Sequence, residues 1–191
     1  VDIGGTKISA GIVGGEGLVY ASPCTIATNP KEPGEVIISN LFSLLKNILA
    51  DAADYDIQGI GIGCTGPLDI DKGILLDVEN LPTLNYFPLK DTVEQVFPLR
   101  VILDNDANAL IYAEALWGAG RNAGSVLGFT LGTGIGCAWI NGGKVWRGHS
   151  GCLEKYGLHL IKKGYWKTMY PAMPSPVFIK NIQRRSCRLI V

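Results

Sequence analysis

The amino-acid sequence predicts an α/β domain built on a mixed β-sheet. Short strands joined by glycine turns at its start predict an antiparallel meander. An amphipathic helix over 35–53 leads into a buried strand over 57–64. A third observation is the stretch VILDNDANA (101–109), where an extended segment runs directly into a helical pattern. Such a strand-to-helix junction places polar groups at the carboxyl edge of a sheet, where open α/β folds bind ligands.

The individual elements follow from turn residues and hydrophobic periodicity. Strands are predicted where short apolar or alternating runs are bounded by turns: 1–4, 7–13, 18–26, 57–64, 101–104, 125–131, 135–141 and 144–147. Helices are predicted where helical patterns begin and end at turn signals: 35–53, 89–97 and 107–117. The helix over 35–53 is the clearest, because its apolar residues recur with a 3.6-residue period. The stretch from 68 to 88 is expected to be irregular, with a hairpin-like turn at 71–73.

Composition limits the classes of function. Apolar residues make up 47%, charged residues 18%, and the net charge is zero, so overall charge favours neither nucleic acid nor an anionic membrane as a partner. No apolar run approaches the ~18 residues that a membrane span needs. Five widely spread cysteines indicate a reducing, cytoplasmic setting in which most of them are small buried hydrophobes. The 25 glycines cluster in loops after apolar runs, which indicates ligand binding through the backbone.

The first motif that carries chemistry is DIGGTK (2–7), in the turn between the first two strands. Gly4 and Gly5 lack a Cβ, so backbone N–H groups there can approach phosphate oxygens, as in an anion-binding nest. Asp2 can hold Mg²⁺, directly or through water, because hard cations take oxygen ligands. Thr6 or Lys7 can face the terminal phosphate of a nucleotide. An ordinary hairpin turn explains the same residues equally well when the motif is taken alone.

A second glycine turn, GTGIG (132–136), again separates two strands. Gly132, Thr133 and Gly134 offer the same backbone chemistry, and an ordinary hairpin is again the alternative. Two such turns in one α/β domain can clamp a polyphosphate from both sides. The pair therefore favours nucleotide binding over two unrelated hairpins.

The junction at 101–109 crowds four polar side chains into five positions: Asp104, Asn105, Asp106 and Asn108. A capped helix start is the alternative, but one N-cap needs only one such residue. Phosphoryl transfer needs a carboxylate that orients a hydroxyl group and accepts its proton. Asp106 is the candidate for this catalytic base. Asn105 and Asn108 can hydrogen bond with a polyol.

The motifs DIGGTK, TGP (65–67), DNDANA (104–109) and GTGIG, in this order, resemble the ROK family, which includes sugar kinases such as glucokinase and fructokinase and related sugar-responsive repressors. The resemblance covers most of 1–151. It implies an actin-like, ribonuclease-H-like ATPase fold that holds ATP and Mg²⁺ between two lobes. It also implies that Asp106 is the catalytic base, that Asn105 and Gly66 contact the sugar, and that both glycine turns hold the phosphates of ATP. Members of the family commonly pair, so a homodimer is a further expectation.

The sequence departs from the family at Gly151. The family's GEIGH segment and the start of its zinc motif are absent there, as though two glycines had been joined. The resemblance still implies that Glu154 contacts the sugar. Cys152 matches one zinc-binding cysteine, but His149 and His159 do not align with the family's zinc-binding histidine. One thiolate and two unplaced histidines fall short of the four ligands of a structural zinc site, so zinc is not expected.

The C-terminal segment carries charge of one sign, with eight basic and no acidic residues from Lys155 onward. We therefore predict a kinase lobe over 1–151, followed over 152–191 by an incomplete remnant of a second lobe or a non-native tail. A basic tail can contact nucleic acid, but no motif of a nucleic-acid reader accompanies this charge. No nucleic-acid or membrane partner is predicted.

The predicted function is ATP-dependent phosphorylation of a hexose at its primary hydroxyl group, with glucose as the default and a chain that is expected to be incomplete. The predicted partners are a sugar and ATP, with Mg²⁺. One alternative is a sugar-responsive transcriptional regulator, which would carry a helix-turn-helix segment before the first glycine turn. The other alternative is a kinase fragment that is inactive by itself.

Overall fold

The structure is a computed structural model of the 191-residue chain. It describes residues 1–20, 23–131 and 135–147, together with two short strands at 178–180 and 188–190. The chain forms two compact units, Val1–Asp106 and Ala107–Val191. The predicted boundary at residue 151 lies outside the described residues and stays a prediction.

The described residues form short strands and three α-helices. The strands are β1 (Asp2–Ile3), β2 (Lys7–Ala10), β3 (Cys24–Ala27), β4 (Ile60–Cys64), β5 (Leu68–Asp69), β6 (Ile74–Leu75), β7 (Val101–Asn105), β8 (Ser125–Leu131), β9 (Ile135–Asn141), β10 (Lys144–Trp146), β11 (Phe178–Lys180) and β12 (Arg188–Ile190). The helices are α1 (Gly34–Asp51), α2 (Leu89–Val96) and α3 (Asp106–Leu116).

The first unit is built on a mixed five-stranded sheet with the order β3-β2-β1-β4-β7. The first three strands pair antiparallel, whereas β1 with β4 and β4 with β7 pair parallel. This arrangement confirms the predicted N-terminal meander and the predicted mixed sheet. The parallel register aligns Ile3 with Cys64 and Cys64 with Asn105. Because β1, β4 and β7 run in the same direction, the segments that follow them leave the sheet at one edge.

Helix α1 covers this sheet with the apolar face that the sequence predicts. Six of its side chains are buried: Ile37, Ile38, Leu41, Leu44, Leu45 and Ile48. They belong to one core with sheet residues such as Ile8 and Ile62. Each fully buried side chain of this kind contributes about 1.5–3 kcal/mol relative to an exposed one.

Two predicted strands of the meander are shorter than expected. The strand predicted over 7–13 ends at Ala10, and the one predicted over 18–26 is observed as Cys24–Ala27. Between them, Val13 and Val19 form only an isolated bridge. The physical reason is the glycine content of 11–17, since glycine weakens strands and offers no side chain for cross-strand packing.

The segment from 68 to 88 is more ordered than the sequence predicts. Strands β5 and β6 pair antiparallel, which confirms the hairpin-like turn at 71–73, and Gly73 adopts a positive φ of 70° there. A short 3₁₀ helix follows at Pro82–Leu84. Four side chains of the segment are fully buried: Leu75, Val78, Leu81 and Leu84. The segment is therefore part of the core of the first unit.

The second unit contains α3 from Ala107 onward and an antiparallel sheet in the order β10-β9-β8. Strands β8 and β9 have the predicted bounds. Ile111 of α3 packs with Val126, Ala138 and Ile140. A Cβ at Gly128 would collide with the Ile111 side chain, so a glycine there allows the helix to lie close to the sheet. Strands β11 and β12 pair with each other.

The described residues include three of the five cysteines and the three α-helices named above. Cys64 and Cys137 are buried, as expected of small hydrophobes, whereas Cys24 is exposed. Cys152 and Cys187 lie outside the described residues. Among the helices that the structure describes, none has both the length and the apolar character to cross a membrane.

We expect Ile37→Ala to lower the free energy of unfolding by about 2–5 kcal/mol, because it deletes buried methyl groups and leaves a cavity. Ile37 is 1% exposed, and its neighbour Val36 is 41% exposed. Val36→Ala is therefore the matched control and should change stability by less than about 0.5 kcal/mol. Urea unfolding of both variants measures the difference, and equal losses would contradict the buried face of α1.

Candidate active site

The carboxyl ends of β1, β4 and β7 bring three of the predicted segments together. The glycine turn 4–7 follows β1, the turn that contains Gly66 follows β4, and Asp106 follows β7. The aligned register makes these strands end at the same level of the sheet. One edge of the first unit therefore carries two glycine-containing turns beside a carboxylate.

Asn105 ends β7 and is buried, with 4% of its surface exposed. Its Nδ2 donates a long hydrogen bond of 3.5 Å to the carbonyl oxygen of Cys64. Its backbone N–H donates to Oδ1 of Asp104 at 2.7 Å. A buried amide is costly unless it is hydrogen bonded. The pairing of Asn105 with Cys64 places the predicted sugar ligand beside the end of β4, two residues before Gly66.

Helix α3 begins at Asp106, one residue earlier than predicted. Asp106 is half-buried, and a carboxylate in the first turn of a helix interacts favourably with the helix dipole. Asn108, in the same turn, is buried with 6% exposed. The crowded polar stretch thus divides into residues that end a strand and residues that start a helix.

Asp2 and Asp106 interact electrostatically at this edge. Burial is the largest cause that raises the pKa of Asp2, and repulsion by Asp106 is the next, while Lys7 opposes both. Burial and then the same two carboxylates raise the pKa of the Cys64 thiol, so this cysteine stays neutral and unreactive. Asp2 still contacts solvent. A cation can therefore reach its carboxylate and relieve the repulsion.

The residues present fit Mg²⁺ bound together with a nucleotide. No group of three or more His, Cys, Asp or Glu side chains forms a metal cluster within the described part of the chain. Mg²⁺ in nucleotide sites uses one or two carboxylates together with phosphate oxygens and water, and Asp2 supplies one carboxylate. The residues weighed for zinc lie outside the described residues: His149, Cys152 and His159.

The first glycine turn is closed by a hydrogen bond of 3.0 Å from the Gly4 N–H to the Lys7 carbonyl oxygen. Across residues 1–20, 23–131 and 135–147, the N–H groups of Gly5 and Thr6 donate no hydrogen bond. Two consecutive backbone donors without a partner in a turn suit an anion such as a phosphate group.

Asn80 is a neighbour of this turn that sequence reasoning missed. A Cβ at Gly5 would lie 2.9 Å from both the Cβ and the carbonyl oxygen of Asn80. No local pattern predicts this contact, because Asn80 lies in a segment without periodicity. Close packing against Asn80 thus favours a glycine at position 5 independently of the predicted phosphate access.

Four predicted site residues lie outside the described residues, and their roles stay predictions: Gly132, Thr133, Gly134 and Glu154. Gly136, in the same motif as the first three, is described. Its N–H donates to Oγ1 of Thr130 at 3.2 Å, and a Cβ there would lie 2.6 Å from the Cβ of Ala107. The strand that follows the second glycine motif therefore packs closely against the start of α3.

Comparison with known proteins connects these features with one family. The family model described as "ROK family" matches residues 1–169. The chain is 34% identical over 157 residues to a glucokinase from Streptomyces coelicolor, which covers 82% of this chain and 47% of that protein. It is 32% identical over 157 residues to an N-acetylmannosamine kinase from Escherichia fergusonii, with coverage of 82% and 52%. The crystal structure of a ROK family glucokinase from Streptomyces griseus in complex with glucose and AMPPNP is similar with a TM-score of 0.69 and 34% identity, over 91% of this chain and 61% of that chain.

These similarities confirm the predicted fold class, an α/β fold of the actin-like, ribonuclease-H-like ATPase type. The family match reaches residue 169, which is beyond the departure at Gly151. The chain spans about half the length of the curated relatives it matches.

We expect Gly5→Ala to lower the free energy of unfolding by about 1–3 kcal/mol through overpacking. The new Cβ would lie 2.9 Å from backbone and side-chain atoms of Asn80, whereas a Cβ at Gly15 would have no atom within 4 Å. Gly15→Ala is therefore the matched control, with an expected change of less than about 0.5 kcal/mol. Urea unfolding measures both, and equal stability of the two variants would contradict the packing of Gly5 on Asn80.

We expect Asp2→Asn to stabilise the chain at neutral pH in metal-free buffer. The raised pKa of Asp2 means that its ionised form is disfavoured in the folded state, and the substitution removes that penalty. As the pH falls through the raised pKa, Asp2 takes up a proton and the advantage of the variant shrinks. Unfolding curves at several pH values test this, with Asp54→Asn as the exposed control. A stabilisation that grew on acidification would contradict the proposed electrostatics.

Proposed function

This chain belongs to the ROK family, and we propose that it carries the phosphate-binding turn and catalytic base of an ATP-dependent sugar kinase. The observation that carries the proposal is the carboxyl edge of the first sheet. There, Asp106 interacts with Asp2, and β1 is followed by the N–H groups of Gly5 and Thr6, which have no hydrogen-bond partner among the described residues. A carboxylate base next to backbone anion donors is the arrangement that phosphoryl transfer to a hydroxyl group needs.

The proposed reaction is phosphorylation of a hexose at its primary hydroxyl group. Glucose is the default substrate, because the chain is similar to proteins named glucokinase. It is also similar to a protein named N-acetylmannosamine kinase, so an N-acetyl amino sugar is the competing substrate. Asn105 and Gly66 are proposed to contact the sugar hydroxyl groups, and Glu154 is proposed as a further sugar ligand.

Asp106 is proposed to accept the proton of the attacking hydroxyl group. General-base catalysis of this kind typically contributes a factor of about 10²–10⁴ to the rate. Because Asn105 directly precedes Asp106 and pairs with Cys64 at the end of β4, a sugar bound by Asn105 would have its hydroxyl groups near the proposed base.

The backbone of the first glycine turn is proposed to bind phosphate oxygens through Gly5 and Thr6, with Lys7 facing the terminal phosphate. Gly132, Thr133 and Gly134 are proposed to hold the phosphates from the second glycine turn. Asp2 is proposed to hold Mg²⁺, directly or through water. When bound, the ion would neutralise part of the negative charge on the transferring phosphoryl group.

Three broader features of the protein are also proposals. The lobe is proposed to span 1–151, with 152–191 as a remnant or non-native tail. A homodimer is proposed because members of the family commonly form dimers. The kinase is proposed to act in the cytoplasm, where ATP is supplied.

We expect Asp106→Asn to lower the rate of ATP-dependent hexose phosphorylation at least about 100-fold, because the amide cannot accept the proton. Sugar binding, measured by calorimetry, should stay within about threefold of the original chain, since the substitution keeps the shape of the side chain. The assay uses the purified chain with ATP and Mg²⁺, and compares glucose with N-acetylmannosamine.

Asp71→Asn, in the exposed β5–β6 turn, is the control and should leave the rate unchanged. Turnover that survived Asp106→Asn would refute the assignment of the base. Absence of phosphorylation of any hexose by the original chain would instead support the inactive-fragment alternative.

A further inference from the structure

Thr28 is a buried polar residue that the proposed mechanism does not use. It follows β3 directly and is 1% exposed. Its Oγ1 donates a hydrogen bond of 2.6 Å to the carbonyl oxygen of Gly4. Its backbone N–H donates to the carbonyl oxygen of Thr6 at 3.0 Å. One residue outside the DIGGTK motif therefore holds two carbonyl groups of the first glycine turn.

The hydrogen bond from the Thr28 hydroxyl group decides which way a neighbouring N–H group points. The carbonyl of Gly4 and the N–H of Gly5 belong to one peptide unit. In a planar trans peptide these two groups point in opposite directions. Because the Gly4 oxygen faces Thr28, the Gly5 N–H must face away from Thr28. Within residues 1–20 and 23–131 it donates no hydrogen bond, so it is available to an anion.

A glycine pair needs such an anchor. Gly4 and Gly5 have no side chains to restrict φ and ψ, so the peptide between them can rotate more readily than one between larger residues. A rotation would turn the Gly4 oxygen toward the anion site, where its partial negative charge would repel a phosphate group. The Thr28 hydroxyl group opposes this rotation, because a partly buried carbonyl that loses its donor costs free energy.

The turn is also supported from the segment that contains Asn80, against which Gly5 packs. Asn85 holds this segment by accepting from the Val78 N–H at 2.8 Å and donating to Asp77 Oδ1 at 3.1 Å. Val78 is fully buried. The Asn80 segment thus restricts the position of Gly5, whereas Thr28 restricts the orientation of the Gly4–Gly5 peptide.

We propose that Thr28 is a positioning residue for phosphate binding: it acts through the Gly4 carbonyl to direct the Gly5 N–H at the phosphate groups of the nucleotide. Thr28 makes no contact with the nucleotide in this arrangement. The assignment rests on the proposed function, because it takes the anion to be a nucleotide phosphate.

The test compares hydroxyl-free and hydroxyl-bearing variants of the full chain. Thr28→Val keeps the shape of the side chain but removes the donor, and Thr28→Ser keeps the donor. Thr25→Val is the matched control, because Thr25 lies on β3 and its Oγ1 is hydrogen bonded to Ser9 Oγ at 2.9 Å instead of to the turn. Thr28→Ala is a second variant without the donor, to be used if the valine variant does not fold. Circular dichroism of every variant confirms folding.

The readouts are calorimetric affinities for Mg·ATP and for glucose, and the amide chemical shifts of Gly5 and Thr6 in ¹⁵N-labelled protein. We expect Thr28→Val to weaken Mg·ATP binding by about tenfold or more, which is the effect of losing one charge-assisted hydrogen bond. Thr28→Ser and Thr25→Val should stay within about threefold of the original chain, and glucose affinity should not change in any variant.

Three outcomes would overturn the proposal, and they differ in what else they affect. If the donor-free variants bind Mg·ATP as tightly as the original chain, the assignment of Thr28 is wrong and the proposed function stands. If they lose ATP and glucose binding equally, Thr28 is structural only. If the original chain shows no saturable ATP binding, both the nucleotide site and the role of Thr28 are wrong.

Discussion

Parallel pairing of β1, β4 and β7 is the constraint on which the candidate site depends. It brings Cys64 and Asn105 side by side although they lie 41 positions apart. The register is held by alternation along the strands: Leu103 is 2% exposed, whereas its neighbour Ile102 is 58% exposed. A slip of one residue would exchange these faces and expose the core. The hydrophobic core therefore determines where Asp106 starts its helix.

The edge that this register creates carries both negatively charged carboxylates and backbone N–H groups with partial positive charge. Burial and then repulsion by Asp106 raise the pKa of Asp2. Gly5 and Thr6 present backbone N–H dipoles without protein partners in the described chain. A phosphate group alone would suit the amides and add to the repulsion of the carboxylates. A phosphate with a divalent cation suits both, since the cation takes carboxylate oxygens and the amides take phosphate oxygens. The charge pattern of the edge thus favours a metal–nucleotide complex over a bare anion.

The sequence predicts those parts of the fold and site that leave a local signal. Periodicity located α1, and the crowding of polar residues pointed to Asn105 and Asp106 at a strand-to-helix junction. Apart from the turn at 71–73, the segment from 68 to 88 has no such signal, because the burial of Leu75 and Val78 comes from tertiary packing. Thr28 was missed for the same reason: its partner Gly4 lies 24 positions away, and a single threonine after a strand looks like any other turn residue.

The described part of the site is held by one core. The first glycine turn follows β1, and Asn105 ends β7 directly before Asp106. The buried residues of both strands belong to a single cluster, which runs from Ile3 to Leu103. The roles proposed for Gly132 to Gly134 and for Glu154 fall in the second unit. The packing that aligns the proposed base with the first glycine turn therefore lies within Val1–Asp106. The first unit thus carries the first proposed phosphate-binding turn together with the proposed base, and the sequence departure at Gly151 lies beside the proposed sugar ligand Glu154 in the chain.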